Sequence, residues 1–101
     1  MNPALFAPQA KRDVVEAAAW IAKDNPAAAR ALRDTLADAA HRLGRYPELG
    51  SQRPDLAGPE IRFLVLTGFP YVVVYDALRR PPLILRVLHG GRDIPSLMGE
   101  G

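Results

Sequence analysis

Arg86, His89 and Arg92 are the side chains in this chain best equipped for chemistry, and they fall in one stretch, Leu83-Ile84-Leu85-Arg86-Val87-Leu88-His89-Gly90-Gly91-Arg92-Asp93. A guanidinium keeps its charge and grips phosphate or carboxylate in a planar, two-point fashion. Histidine is the commonest general acid or base near neutral pH. An imidazole flanked by arginines therefore suits an anionic partner. Arg62 and Tyr75 are candidates to join the group from adjacent strands. The structural alternative is that Arg86 pairs with Asp76 or Asp93 while His89 merely closes the sheet.

The elements that must position these residues can be read from the same pattern. Leu83 to Leu88 is apolar except for Arg86, as in a buried strand, and burying an arginine there is costly unless it is paired or faces a cleft. Gly90 and Gly91 turn the backbone away, leaving Arg92 and Asp93 exposed. Pro81-Pro82 blocks any ladder before Leu83. Ile61 to Leu66 and Tyr71 to Tyr75 are two further runs rich in β-branched and aromatic residues, joined through Thr67-Gly68-Phe69-Pro70. Short connections make the three runs an antiparallel meander. Alternation puts Arg62, Leu64 and Leu66 on one face and Ile61, Phe63 and Val65 on the other. Both faces are apolar, so one is expected to lack a cover within this chain, as at a partner site.

Upstream, Ala4-Leu5-Phe6-Ala7 predicts a short first strand that ends at Pro8. From Gln9 to Asn25 the spacing of Ala10, Val14, Ala17 or Ala18, and Ile21 predicts a helix, with Asp13 among the charges off that stripe. Trp20 flanks the stripe and is expected to pack onto the next helix. Asn25-Pro26 marks a boundary, with Asn25 as N-cap and Pro26 as first residue of a second helix. That helix is expected to reach about Leu43, with Gly44 as its stop. The short link forces an antiparallel helix hairpin. Tyr46 to Pro59 reads as loop, broken by Pro47, Gly50, Pro54, Gly58 and Pro59. Ile94 to Met98 is a short tail, expected to add an edge strand or a single turn. The fold class is thus α+β in one domain, 1–101: a short N-terminal strand, a helix hairpin and a three-stranded antiparallel meander.

Composition narrows the function classes. There is no cysteine, hence no disulfide framework and no thiolate metal site. No secretion signal and no membrane-length apolar run is visible, which fits a cytoplasmic protein without membrane attachment. No glycine-rich phosphate loop, paired-histidine metal motif or serine nucleophile elbow occurs, so neither cofactor nor metal is expected. His41, in the second helix, reads as solvated or capping. The net charge is only +2, but Arg62, Arg79, Arg80, Arg86 and Arg92 face Asp76 alone between residues 62 and 92.

The order of these elements, with their particular words, resembles the ParE/RelE family of bacterial toxins, on the ParE side. The matching segments are Ala7-Pro8-Gln9-Ala10 with Asp13; Ile21 to Ala29, including Asn25-Pro26; Tyr46-Pro47-Glu48-Leu49-Gly50; Arg62 at a strand start; Tyr71 to Tyr75; and Leu85 to Asp93. The resemblance implies a toxin of a type II toxin–antitoxin, or plasmid-stabilisation, module. Its ParE-type members bind DNA gyrase, whereas RelE-type members cleave mRNA on the ribosome. It further implies a ParD-like antitoxin that wraps the toxin in a hetero-oligomer, with Phe63, Val65, Tyr71, Val73, Tyr75 and Trp20 as antitoxin contacts. Gyrase would meet Arg86, His89, Arg92 and Asp93. In the ribonuclease alternative His89 would be the acid–base group and Arg62, Arg86 and Arg92 the phosphate clamps. The chain departs from the family in having Ala7 before the first helix and no charge in the Gly68-Phe69-Pro70 turn. It also has no lysine in its second half, which favours the gyrase-binding reading.

Overall fold

The computed structural model describes residues 2–94. Its elements are β1 (Leu5–Phe6), α1 (Pro8–Ala22), α2 (Pro26–Arg45), β2 (Ser51–Gln52), β3 (Ile61–Val65), β4 (Tyr71–Asp76) and β5 (Leu83–His89). They form one five-stranded sheet, ordered β1-β5-β4-β3-β2, with the helix hairpin against one face. The meander β3-β4-β5 is antiparallel, as its short links require, while β1 runs parallel to β5. A parallel pair needs a long crossover, and the helix hairpin with the rest of the sheet supplies it.

The helix boundaries follow local chemistry. Asn25 caps α2: its Oδ1 accepts the Ala28 N–H at 3.0 Å, and Pro26 occupies the first turn, where a missing N–H costs nothing. Ala7, which has no side-chain acceptor, leaves α1 uncapped at its start. Helix α1 begins at Pro8 and ends at Ala22, earlier than the sequence pattern indicates: the Asp24 and Asn25 N–H groups close its last turn on the Ile21 carbonyl, and Asn25, ahead of Pro26, leaves helical geometry.

Gly44 does not stop α2, which continues through it to Arg45. A Cβ there would lie 2.9 Å from the Pro3 Cα and collide with the Asn2 carbonyl, so glycine at this point lets the N-terminal segment cross the helix. The Ala4 N–H donates to the Ala40 carbonyl at 2.8 Å beside that crossing. The region expected to be loop carries β2, which pairs with β3 through Ser51 opposite Phe63 and Gln52 opposite Arg62. Of the tail expected over Ile94 to Met98, Ile94 is helical together with Asp93 before it, and from residue 95 onward it lies outside the described residues.

The core lies between the hairpin and the sheet face that carries Tyr71, Val73, Tyr75, Ile84 and Val87. The alanine-rich inner faces of α1 and α2, with Leu32, Leu36 and Leu43, fill it. The opposite sheet face is not the open apolar surface expected. Val72 and Val74 are buried there, where register sets Val74 between Phe63 and Arg86 and Val72 between Val65 and Leu88. Apolar exposure on this face concentrates at Val65, which is 70% exposed.

Candidate functional site

Strand β1 pairs with β5 only at Leu83 and Ile84, so the β5 edge beyond them lacks a strand partner. Asp13 of α1 takes that place. Its Oδ2 accepts the Val87 N–H at 3.0 Å and the Arg86 Nε–H at 2.8 Å, while Oδ1 accepts from Arg86 Nη2 at 3.2 Å and Gln9 Nε2 at 3.1 Å. A bulge makes this possible. Tyr75 pairs with Ile84 but Val74 pairs with Arg86, so Leu85 is an extra residue in β5. The insertion reverses the backbone parity, and Val87, three residues after Ile84, points its N–H to the same edge.

Asp13 is only 8% exposed. Burial alone would raise its pKa, but hydrogen bonds from Arg86, Val87 and Gln9 outweigh that and hold the carboxyl below its usual value. The hydrogen bond to Asp13, reinforced by the charges of Asp13, Asp93 and Glu16, holds the Arg86 guanidinium above its own. Arg86 therefore pairs with neither Asp76 nor Asp93. Asp76 instead accepts the Leu78 N–H in the β4–β5 turn. Asp93 Oδ2 accepts the His89 N–H at 2.7 Å.

The imidazole of His89 organises the loop that follows it. Nδ1 accepts N–H bonds from Gly91 and Arg92, both at 3.1 Å, and the ring meets Tyr71 edge-on at 5.4 Å between centroids. With Nδ1 used as acceptor, the neutral ring carries its proton on Nε2. Gly90 closes the turn through its N–H to the Pro70 carbonyl.

Arg86, Arg92 and Asp93 line an open cleft of about 450 Å³ with Asp13, Glu16, Ala17, Trp20, Tyr71, Val87 and Leu88. Trp20 does not pack onto α2: it is 61% exposed at the cleft, with the Lys23 ammonium 5.0 Å from its ring centroid. Arg62 and Tyr75 stand apart from this group. They face each other across β3 and β4, four residues along β4 from Tyr71 and hence about 13 Å away. Both hold the loop before β2. Arg62 Nη1 donates to the Gly50 carbonyl at 2.8 Å, and the Tyr75 hydroxyl donates to the Pro47 carbonyl at 2.7 Å and accepts from the Gly50 N–H at 2.8 Å. Burial pushes the Tyr75 phenol pKa up.

The model of the ParE toxin of type II toxin–antitoxin systems, parDE, matches residues 4–94. The chain belongs to the ParE toxin family. Its fold is similar to that of a chain in the chromosomal ParDE TA system from P. aeruginosa, at a TM-score of 0.72 and 19% identity, covering 88% of this chain and 96% of that one. No curated protein matches the sequence. Family membership makes this chain the toxin side of a pair and implies an antitoxin partner.

For a ParE-family toxin, three of the four residues expected at the target surface cluster at the cleft: Arg86, Arg92 and Asp93. His89 sits just behind, holding the loop. The set Arg62, Arg86, His89 and Arg92, expected to act together in a ribonuclease, is not brought together, because Arg62, on β3, lies opposite the far end of β4. Of the expected antitoxin contacts, Val73 and Tyr75 are fully buried beneath the helices and offer no surface, and Tyr71 is nearly so. Trp20, Val65 and the half-buried Phe63 are accessible. Asp13 and Glu16 were not among the expected site residues. The signal for Asp13 was its spacing, three after Ala10 and four before Ala17, which puts it on the buried stripe. Among the described residues no cluster of histidine and acidic side chains could hold a metal, and no helix is long and apolar enough to cross a membrane.

Proposed function

We propose that this ParE-family toxin arrests growth by binding DNA gyrase through the Arg86–Arg92 cleft, without cleaving a substrate itself. The carrying observation is the fixed presentation of Arg86. Asp13 clamps the Nε and Nη2 edge of the guanidinium, and among the described residues Nη1 carries no hydrogen bond, while Arg92 and Trp20 line the same cleft. A fixed cation beside an aromatic wall is a usual component of a protein-binding hot spot. His89 supports the same reading, since its Nδ1 is engaged as an acceptor within the loop. A ParD-like antitoxin neutralises the toxin in a hetero-oligomer, with Trp20, Phe63 and Val65 among its contacts.

A supercoiling assay with purified gyrase tests the proposal. Inhibition is expected for the wild-type chain and is expected to weaken markedly for Arg86→Ala and Arg92→Ala. Unaltered supercoiling at high toxin excess would count against gyrase as the target. Cuts within mRNA codons that vanish in His89→Ala would instead support the ribosomal ribonuclease reading.

A further inference from the structure

The loop after β5 is gathered around a single unprotonated nitrogen. His89 Nδ1 accepts the Gly91 and Arg92 N–H groups, both at 3.1 Å. Main-chain N–H groups only donate, so this nitrogen must present a lone pair, and the neutral ring keeps its proton on Nε2. A second proton, taken from water, has one place to go, and that is Nδ1. Protonation there removes both hydrogen bonds and sets a new N–H against two N–H donors. Histidine is the side chain whose ordinary titration falls between about pH 5 and pH 8.

The surroundings give the imidazolium no replacement partner. The titratable and charged groups about the ring and the adjoining cleft are Tyr71 on β4, Asp13 and Glu16 on α1, Arg86 on β5, and Arg92 and Asp93 in the loop. Asp13 is engaged by Arg86 and the Val87 N–H. Asp93 accepts the main-chain N–H of His89, at 2.7 Å, rather than a ring N–H. Among the described residues no carboxylate bonds the imidazole. The ring also has little room to turn. Tyr71 meets it edge-on at 5.4 Å between centroids, and Gly91 lies so near that a Cβ there would stand 3.3 Å from Cε1. The loop is therefore the part that gives way. Its other ties are the Asp93 bond and a longer one, 3.2 Å, from the Arg92 N–H to the His89 carbonyl.

We propose that protonation of His89 Nδ1 releases the loop from Gly91 to Asp93 and draws Arg92 and Asp93 away from the cleft, so that target binding weakens in acid. This switch rests on the gyrase-binding reading of the cleft and gives that site a regulator, the proton. Two measurements on the full-length chain test it. Proton–nitrogen NMR of the wild type, titrated from about pH 8 to about pH 5.5, follows the His89 ring and the loop amides together. The Gly91 and Arg92 amides are expected to lose order as the ring titrates, seen as falling heteronuclear NOE values, while the Val87 amide stays ordered. Kd for purified gyrase, measured at the two ends of that range, is expected to rise about tenfold at the lower pH. In His89→Asn, whose Oδ1 accepts the same N–H groups and takes no proton, that rise is expected to disappear.

Gly91 and Arg92 amides that stay ordered while the ring titrates would overturn the switch and leave the gyrase reading intact. A rise in Kd of equal size in the wild type and His89→Asn would do the same. Release of the loop on cue, with no gyrase binding at either pH, would overturn the gyrase reading and uphold proton control of the loop.

Discussion

Asp13 on α1 and Arg86 on β5, 73 residues apart in the chain, are joined by hydrogen bonds of 2.8 and 3.2 Å, and the same carboxylate closes the open edge of β5 at Val87. One side chain thus docks a helix, ends a strand ladder and sets the direction of a guanidinium. Replacing it with asparagine keeps the shape but turns an N–H donor toward groups that only donate. Asp13→Asn is expected to lower stability by about 2–3 kcal/mol, below the full value for a buried pair because Arg86 is partly solvated. Urea unfolding measures it.

The same carboxyl fixes a pH dependence. Its pKa is depressed in the folded chain, so its stabilising effect is fully present above about pH 5, where a free carboxyl is almost wholly ionised, and is lost as pH falls through the lower folded value. The wild-type chain is therefore expected to lose stability from about pH 5 downward more steeply than Asp13→Asn. Urea midpoints taken across that range would show it; parallel curves for the two proteins would mean that another group controls the acid limb.

His89 separates binding from catalysis. The Oδ1 of an asparagine, like imidazole Nδ1, is attached at the γ carbon and can accept the Gly91 and Arg92 N–H groups. His89→Asn is expected to retain growth arrest and gyrase inhibition, whereas His89→Ala frees the loop and weakens both severalfold. Equal and complete loss in the two variants would point to proton transfer by the ring.

Tyr75 and Gly50 form a lock on the loop that leads into β2. Tyr75→Phe removes one donor and one acceptor and is expected to cost about 1–2 kcal/mol. Gly50→Ala is expected to cost at least as much, since a Cβ would come within 2.8 Å of the Tyr75 ring and hydroxyl. Hydrogen exchange should report faster opening at residues 47–52 in both, with the Arg86 cleft unaffected.

The N-terminal crossing makes Gly44 an unusual helix residue. Alanine normally favours a helix over glycine by about 1 kcal/mol. Here Gly44→Ala is expected to destabilise instead, because the backbone of Asn2 and Pro3 occupies the space of its Cβ. Asn25→Ala is expected to cost about 1 kcal/mol through the lost cap. Thermal melts of the two variants measure both costs, and a Gly44→Ala chain more stable than wild type would mean that the crossing tolerates a Cβ.

Much of this architecture is legible from residue order alone. The Asn25-Pro26 boundary, the β-rich runs from Ile61 to His89 and the Pro81-Pro82 break act through local backbone preferences, and each stands where those preferences put it. Gly44 misleads for the same reason: by local rules it ends a helix, but here its size serves a contact with residues at the other end of the chain. Trp20 and the outer sheet face mislead likewise, because whether a side chain is covered depends on neighbours distant in sequence.

The sequence by itself determined the element types, the helix hairpin followed by a meander, and the family. Those are set by propensity, periodicity and turn chemistry over a few residues. Only the tertiary structure decided that Arg86 belongs to Asp13, that Arg62 and Tyr75 hold a loop far from His89, and that Val73 and Tyr75 are sealed inside. Partnering of charges and burial of a strand face depend on which edge stays open and where a bulge shifts parity. Those are properties of the assembled sheet, and no short stretch of the chain encodes them.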